Sequence, residues 1–455
     1  MQLNSSQLNK FAEKHLNMTS SKQGEQAPKP RQRIAVIGSG ISGLASAYFL
    51  NQAHEVVLFE ANHYLGGHTN TVEIELEGVQ QAVDTGFLVF NDRTYPNLIA
   101  LFAELGVASY ASDMSFGVSL DAGRLEWAGT NLNTVFAQRK NLFSPRFLGM
   151  LREILRFNAA AELNLAACRI SGISLGELLQ QGNYGRHFQD SYLIPMAAAI
   201  WSSSPKDILR FPASTFLQFC LNHALLQVNN RPQWRTVQGG AREYVRKIAA
   251  TLPQIHLNTP VQAVRRSDAG VLLRTAQGEQ SFDAVVMACH APDSLRMISD
   301  ASPTEQAILS KVRYQANRAY LHTDLAQLPK NKKVWSAWNY LSRSGQGGAG
   351  DERAVCVTYL LNQLQNLSIK QAVMVTLNPF TEPAADKILA QFDYAHPVFD
   401  ADAISAQQQI AAIQGKNKLW FAGAWNGYGF HEDGLKSALR VVAQFGLLPA
   451  WAKVA

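Results

Sequence analysis

The stretch from Arg33 to Gly67, RIAVIGSGISGLASAYFLNQAHEVVLFEANHYLGG, constrains this chain more than any other part of it. It reads as a complete strand, glycine turn, helix and second strand. Ile34 to Ile37 are a short apolar run. Gly38, Gly40 and Gly43 then supply the tight turn, the close backbone approach to a pyrophosphate and the helix–strand contact that a G-x-G-x-x-G turn requires. Ile41, Leu44, Ala45, Tyr48 and Phe49 recur at helical spacing, so one apolar stripe faces the sheet while the helix N-terminus aims its amides at phosphates. The second strand, Glu55 to Phe59, ends at Glu60, 22 residues after Gly38, close to the ~20 at which an acid accepts hydrogen bonds from an adenosine ribose. An ADP-containing cofactor with an unphosphorylated ribose follows. Glycines alone would mean only a turn and a packed helix; the strand, helix, second strand and acid together argue for the nucleotide. The uncharged run Ile34 to Leu50 is 17 residues long, short of the ~20 of a membrane span and interrupted by glycine and serine.

A length of 455 residues suits two or three domains, and the apolar fraction of 47% is that of an ordinary globular protein. The net charge of +6 is spread without a block of five or six basic residues, which reads as a solvated surface and offers no motif for nucleic acid. The cysteines at 168, 220, 289 and 356 have no C-x-x-C spacing. That pattern points away from zinc and disulfide frameworks and toward a reducing cytoplasm. Residues 1–32 are polar, lack the apolar core of a secretory signal and are expected to be a disordered lead-in.

The pattern predicts an α/β fold, a Rossmann-like nucleotide domain with a mixed α+β substrate domain, each assembled from separated segments. Thr71 to Leu76 and Gln81 to Asp84 alternate as a hairpin around Gly78. From about Tyr95 to Gln227 the pattern is mainly helical, broken by a strand at Phe116 to Asp121. The nucleotide pattern resumes with QGGAREYVRKIAATL and ends in the buried strand Ala284 to Ala288. Further β-rich runs fall at Ala319 to His322, Val355 to Leu361 and Val373 to Leu377, with the glycine-rich, mobile loop SRSGQGGAGDE among them. The segment KLWFAGAWNGYGFHEDGLKSALRVVAQFG repeats strand, glycine turn and helix. The expected nucleotide domain is 33–95, 235–300 and 410–455, and the substrate domain 96–234 and 301–409.

In this order the G-S-G-I-S-G turn with Glu60, LGGHTNT, the run from TPVQAV to VVMACHAP, and FAGAWNGYGFHEDGLKSAL resemble the flavin-dependent amine oxidase superfamily over roughly residues 33–450. The resemblance implies non-covalent FAD, since no cysteine lies in the last motif. Gly38, Ser39, Gly40, Ser42 and Gly43 would lie at the pyrophosphate, Glu60 on the ribose, and Gly66, Gly67 and His68 against the phosphates or flavin edge. Val261 would meet the adenine, and Gly423, Asp433 and Gly434 would complete the site at a second helix N-terminus. More narrowly, AAIWSSSP, TYLLNQLQNL, YAHPVFD and GYGFHEDGL are similar to predicted NAD/FAD-binding proteins associated with cyclopropane-fatty-acyl-synthase-like methyltransferases. That likeness implies a fatty-acyl substrate, plausibly methylated, and a lipid methyltransferase as partner, with an FAD-stabilised partner subunit as the non-enzymatic alternative.

Two departures matter. Superfamily amine oxidases place a lysine near flavin N5, whereas VRYQANRAYLHTD offers Arg318, with Lys311 as the other candidate. A guanidinium stays charged and cannot act as a base, which weakens amine oxidation as the reading. The phosphate-loop arginine is replaced by His68, a titratable cation. For the proton that a desaturation must release, His431 and Glu432 are candidates beside Arg318 as anion anchor, and His290, His322 and His396 are further ones. Trp201, Trp335, Trp338, Tyr340, Trp425, Tyr428 and Phe430 suit an apolar tunnel, with Trp425, Tyr428 and Phe430 expected at the substrate. The C-terminal helix, with Arg440, Lys453 and Trp451, is expected to pack against the nucleotide domain, with peripheral membrane contact at the inner face as the alternative.

Overall fold

The computed structural model describes residues 30–227, 230–343 and 355–454. The polar lead-in up to residue 29 and most of the glycine-rich loop, residues 344–354, lie outside the described residues. Residues 33–455 form one compact unit. Five strands, β1 (Arg33–Ile37), β2 (Glu55–Phe59), β3 (Gln254–His256), β4 (Ala284–Met287) and β5 (Leu419–Phe421), make a parallel sheet in the order β3-β2-β1-β4-β5. The apolar runs of β1, β2 and β4 are continuous because both faces are covered there. On one face, α1 (Ile41–Leu50), α2 (Pro96–Leu105) and α3 (His431–Gln444) pack Leu44, Leu98 and Leu439 against Val36 and Val286. On the other, an antiparallel sheet of Ala263–Ser267, Gly270–Thr275 and Gly278–Phe282 packs Val264, Leu273 and Phe282 against Ala35, Val57 and Val285.

A second, seven-stranded sheet is built from Phe116–Leu120, Leu125–Ala128, Tyr314–His322, Trp338–Leu341, Cys356–Leu360, Met374–Leu377 and Ile388–Pro397. Only Trp338–Leu341 and Phe116–Leu120 pair in parallel. The helices from Pro145 to Asn222 share its core through Phe157, Phe188, Phe216 and Leu217. The hairpin forms as read, Thr71–Leu76 against Val79–Asp84, with Glu77 and Gly78 both at positive φ in the turn. In this sheet the strands Leu125–Ala128, Trp338–Leu341 and Ile388–Pro397 are additional to those read from the pattern.

The boundaries between the two sets of segments shift. α2 and the helix Pro303–Leu309 fall in stretches read as substrate domain, yet Leu101 and Phe102 share a core with Leu44, and Ile308 and Leu309 share one with Val285. Their apolar faces are buried on the nucleotide sheet. The C-terminal helix is also packed rather than free for a membrane: Leu435, Leu439 and Val442 are buried and Trp451 meets Phe49 edge-on at 5.9 Å. No helix among the described residues is long and apolar enough to cross a membrane.

Candidate flavin and substrate site

A cavity of about 730 Å³ runs from the glycine turn after β1 to an aromatic chamber bordered by the seven-stranded sheet and the helices. Gly38, Ser39, Gly40, Ser42, Glu60, Gly66, Gly67, His68, Val261 and Gly423 all line it. The turn is possible only with glycine where the backbone is closest: a Cβ on Gly43 would sit 1.8 Å from the Gly38 carbonyl oxygen. At Gly40 the same atom would meet nothing within 4 Å, and this glycine lines the cavity. Glu60 is buried and already oriented. Its Oε2 accepts from the Ser39 amide at 2.9 Å and the Ser39 hydroxyl at 2.6 Å, and its Oε1 from the Asn62 amide at 2.8 Å.

α3 crosses α1 so closely that a Cβ on Gly434 would lie 2.7 Å from Ile41 Cγ2. Ser42 Oγ donates to the Gly434 carbonyl at 2.9 Å, and Ser437 Oγ accepts from the Gly423 amide at 2.8 Å. These contacts bring two helix N-termini, with their free amides and positive dipole ends, to one cavity. Asp433 is turned away: its carboxylate accepts from the Phe430 amide at 3.0 Å, and burial raises its pKa to about 7.

Each candidate base has a definite place. His431 lies on Phe87 with ring centroids 3.6 Å apart, and its Nε2 is 2.8 Å from Thr69 Oγ1, which is itself 2.6 Å from the Tyr244 hydroxyl. Burial lowers its pKa to about 3, so the ring is neutral. His68 stacks on Tyr394 with ring centroids 5.0 Å apart and meets His396 at a tilt at 5.1 Å, and its Nε2 is buried without a hydrogen-bond partner. Burial, then His396, hold it well below the usual histidine range. His396 accepts from Asn317 Nδ2 at its Nδ1, 3.1 Å, and His290 lies 4.1 Å over Tyr314; both line the cavity. His322 does not: it is fixed in the core by Thr376 and the Asp324 amide.

Three expectations are corrected. Arg318 stands directly across the strands from Asp393 and pairs with it in solvent, with its side chain half exposed, so it anchors nothing in the cavity. Lys311 reaches Ser405 instead. Glu432 is not a cavity group either. It accepts from the Asn97 amide, the Asn97 side chain and the Leu98 amide at 3.1, 2.7 and 2.9 Å, capping the N-terminus of α2.

Trp425, Tyr428 and Phe430 line the cavity together with Trp201 and Trp338, whereas Trp335 and Tyr340 pack elsewhere. Met114, Ile200, Leu225, Trp234 and Tyr359 complete the chamber. Among the described residues, the charged side chains that line the cavity are Glu60, Asp293 and Arg296, all at its nucleotide end. The sequence reading missed His223. It sits at the end of the helix Ala213–Asn222, on Phe219 at 4.0 Å, and its Nδ1 hydrogen-bonds the Phe219 carbonyl at 3.0 Å. Because a carbonyl only accepts, Nδ1 carries the proton and Nε2 is left as a lone-pair acceptor in a cavity-lining ring. A lone histidine at a helix end carries no sequence signal for such a role.

Residues 41–444 match the family of flavin containing amine oxidoreductases. The chain belongs to this family. Its fold is amine-oxidase-like, and the open glycine turn, the oriented Glu60 and the orphaned His68 Nε2 fit a bound FAD. L-amino-acid oxidases of Cerastes cerastes and Pseudechis australis are 39% and 41% identical over 59 residues, 13% of this flavoprotein and 11% of each relative. Those matches therefore speak for a small part of either protein. A fatty acid isomerase of P. acnes that produces CLA aligns over 92% of this chain and 99% of its own, at 16% identity and a TM-score of 0.61. Putrescine oxidase bound to putrescine aligns over 91% and 99% at 14% and 0.62, and cyclohexylamine oxidase of Brevibacterium oxydans over 92% and 100% at 16% and 0.60. At such identities the likeness is one of fold.

Proposed function

We propose that this flavoprotein takes hydride from an uncharged apolar substrate, a fatty-acyl chain in the first instance and plausibly a methylated one. The observation that carries the reading is the chamber itself, an aromatic and aliphatic space in which no described residue brings a charge. An amino acid would need a cation for its carboxylate and a diamine an anion for its distal ammonium, since an unpaired ion in such a space is costly. A small monoamine is the second reading, favoured by Trp338 and Tyr359, whose rings meet edge to face at 4.8 Å and would hold a cation over a π face.

In this reading Gly38, Ser39, Gly40, Ser42 and Gly43 cradle the pyrophosphate, Glu60 binds the ribose and Val261 lies on the adenine. Gly66, Gly67 and His68 meet the phosphates or flavin edge, with His68 Nε2 finding there the partner it lacks within the chain. The N-terminus of α3, with Gly423 and Gly434, faces the other end of the cofactor. Asp433 acts only by capping that helix. Attachment is non-covalent; Cys289, which also lines the cavity, is held at Ser294 and its thiol is pushed up to about 12 by burial. Bound flavin supplies a two-electron acceptor for hydride. The chain aligns the substrate carbon, excludes water and holds the released proton. His431, tied to Thr69 and Tyr244, is the candidate for that proton, and His223 Nε2 is the acceptor that orients a polar donor on the substrate. A lipid methyltransferase stands as partner on the motif likeness alone, and a cytoplasmic site of action on the scattered cysteines.

The test is an anaerobic titration of the yellow holoprotein, followed by loss of flavin absorbance. Bleaching by methylated or unsaturated fatty-acyl lipids supports the reading, and bleaching by monoamines supports the second one. Reduction by amino acids or diamines alone overturns both.

A further inference from the structure

Seven of the twelve exposed large apolar side chains among the described residues fall between residues 131 and 170. The same 40 residues hold six basic and two acidic side chains, +4 of the chain's net +6. The two features interleave on two helices. Pro145–Ala159 turns Phe147, Met150 and Phe157 into the core and leaves Leu148, Arg152 and Leu155 on the opposite side at helical spacing. Ala161–Ser171 buries Ala161, Leu165 and Cys168 and exposes Leu163, Ala167 and Ile170. The exposure is extreme: Phe143, just ahead of the first helix, is 86% exposed and Ile170 is 90%. Arg146 and Arg152 make no hydrogen bond or ion pair with any described residue.

A soluble surface tolerates single exposed leucines, but this concentration on one insert calls for an occupant. The interleaved arginines say which one. We propose that this helical face docks on a membrane surface containing anionic lipid, with Phe143, Leu155, Leu163 and Ile170 entering the acyl boundary and Arg146 and Arg152 meeting headgroup phosphates. The inference rests on exposure and charge and does not depend on the substrate. It also moves membrane contact from the C-terminal helix, whose apolar face is buried, to the opposite half of the fold's sequence.

Flotation of full-length holoprotein with vesicles tests it. Vesicles of phosphatidylcholine mixed with phosphatidylglycerol should bind the protein in a salt-sensitive way, and phosphatidylcholine alone should bind it poorly. Replacing Arg146 and Arg152 together by alanine should lower partitioning about 30-fold, since each surface basic residue is worth about five-fold. Phe143→Ser with Ile170→Ser should lower it as well, with flavin absorbance and melting temperature unchanged. No binding to anionic vesicles, or equal binding by all variants, overturns the proposal. So does a concentration-dependent dimer that the same variants dissolve without any vesicle binding, which would assign the face to a second copy.

Discussion

At the scale of single residues, the site depends on side chains whose partners are already fixed within the chain. The carboxylate of Glu60 is held by Ser39 and Asn62, and the imidazole of His223 is locked as an acceptor by the Phe219 carbonyl. Burial holds the pKa of His223 near 4, so the acceptor form persists at neutral pH. His223→Phe should therefore keep the flavin spectrum and stability but raise KM about three- to ten-fold for a substrate with a hydroxyl or N–H donor, the worth of one neutral hydrogen bond. Steady-state kinetics on donor-bearing and donor-free analogues check this; equal KM changes for both would remove His223 from substrate recognition. Arg318 shows the converse. Its residue type drew attention, but its position opposite Asp393 spends its charge in solvent.

At the scale of elements, α1 and α3 are pinned together by Gly434 against Ile41 and by the Ser42 hydroxyl, and α2 is fastened to α3 through Glu432. Glu432 satisfies three donors at the start of α2, groups with no partner inside that helix. Glu432→Ala leaves the Asn97 and Leu98 amides unpaired, while the Asn97 side chain keeps the Lys453 carbonyl, and should cost about 2–4 kcal/mol in urea unfolding. Flavin reduction by substrate in the folded variant should change little. A variant of full stability that no longer reduces flavin would make Glu432 a reacting group instead.

At the scale of the whole molecule, buried histidines set the response to acid. His223 and His322 are buried with pKa values lowered to about 4, and His68, His396 and His431 are lowered in the same direction. In the unfolded chain they take up protons near pH 6.5, while the folded chain does not until pH falls further. The unfolded state thus binds more protons between about pH 6.5 and 4, and stability falls as pH falls through that window, by up to about 1.4 kcal/mol per pH unit for each histidine. Asp84 and Asp433, raised to about 6 and 7, and Glu432 oppose this, but the histidines outnumber them. Unfolding midpoints should drop between pH 7 and pH 5, less so in His322→Gln; a rise toward pH 5 would contradict the assignment. Local pattern was enough for the nucleotide half, because the glycine turn, the period of α1 and the spacing to Glu60 are interactions between neighbours in the chain. The repeated strand, turn and helix at the C-terminus was legible for the same reason. The chamber was not, since Met114, Trp234, Trp338 and Tyr359 come from distant segments and their facing is set by strand register. Sequence alone determined the α/β class, the flavin family and the glycine turn that lines the cavity. Only the tertiary structure decided that Arg318 faces water, that Glu432 caps a helix, that His223 faces the cavity and that no described residue brings a charge to the chamber, because burial and pairing across long separations depend on packing that no local pattern encodes.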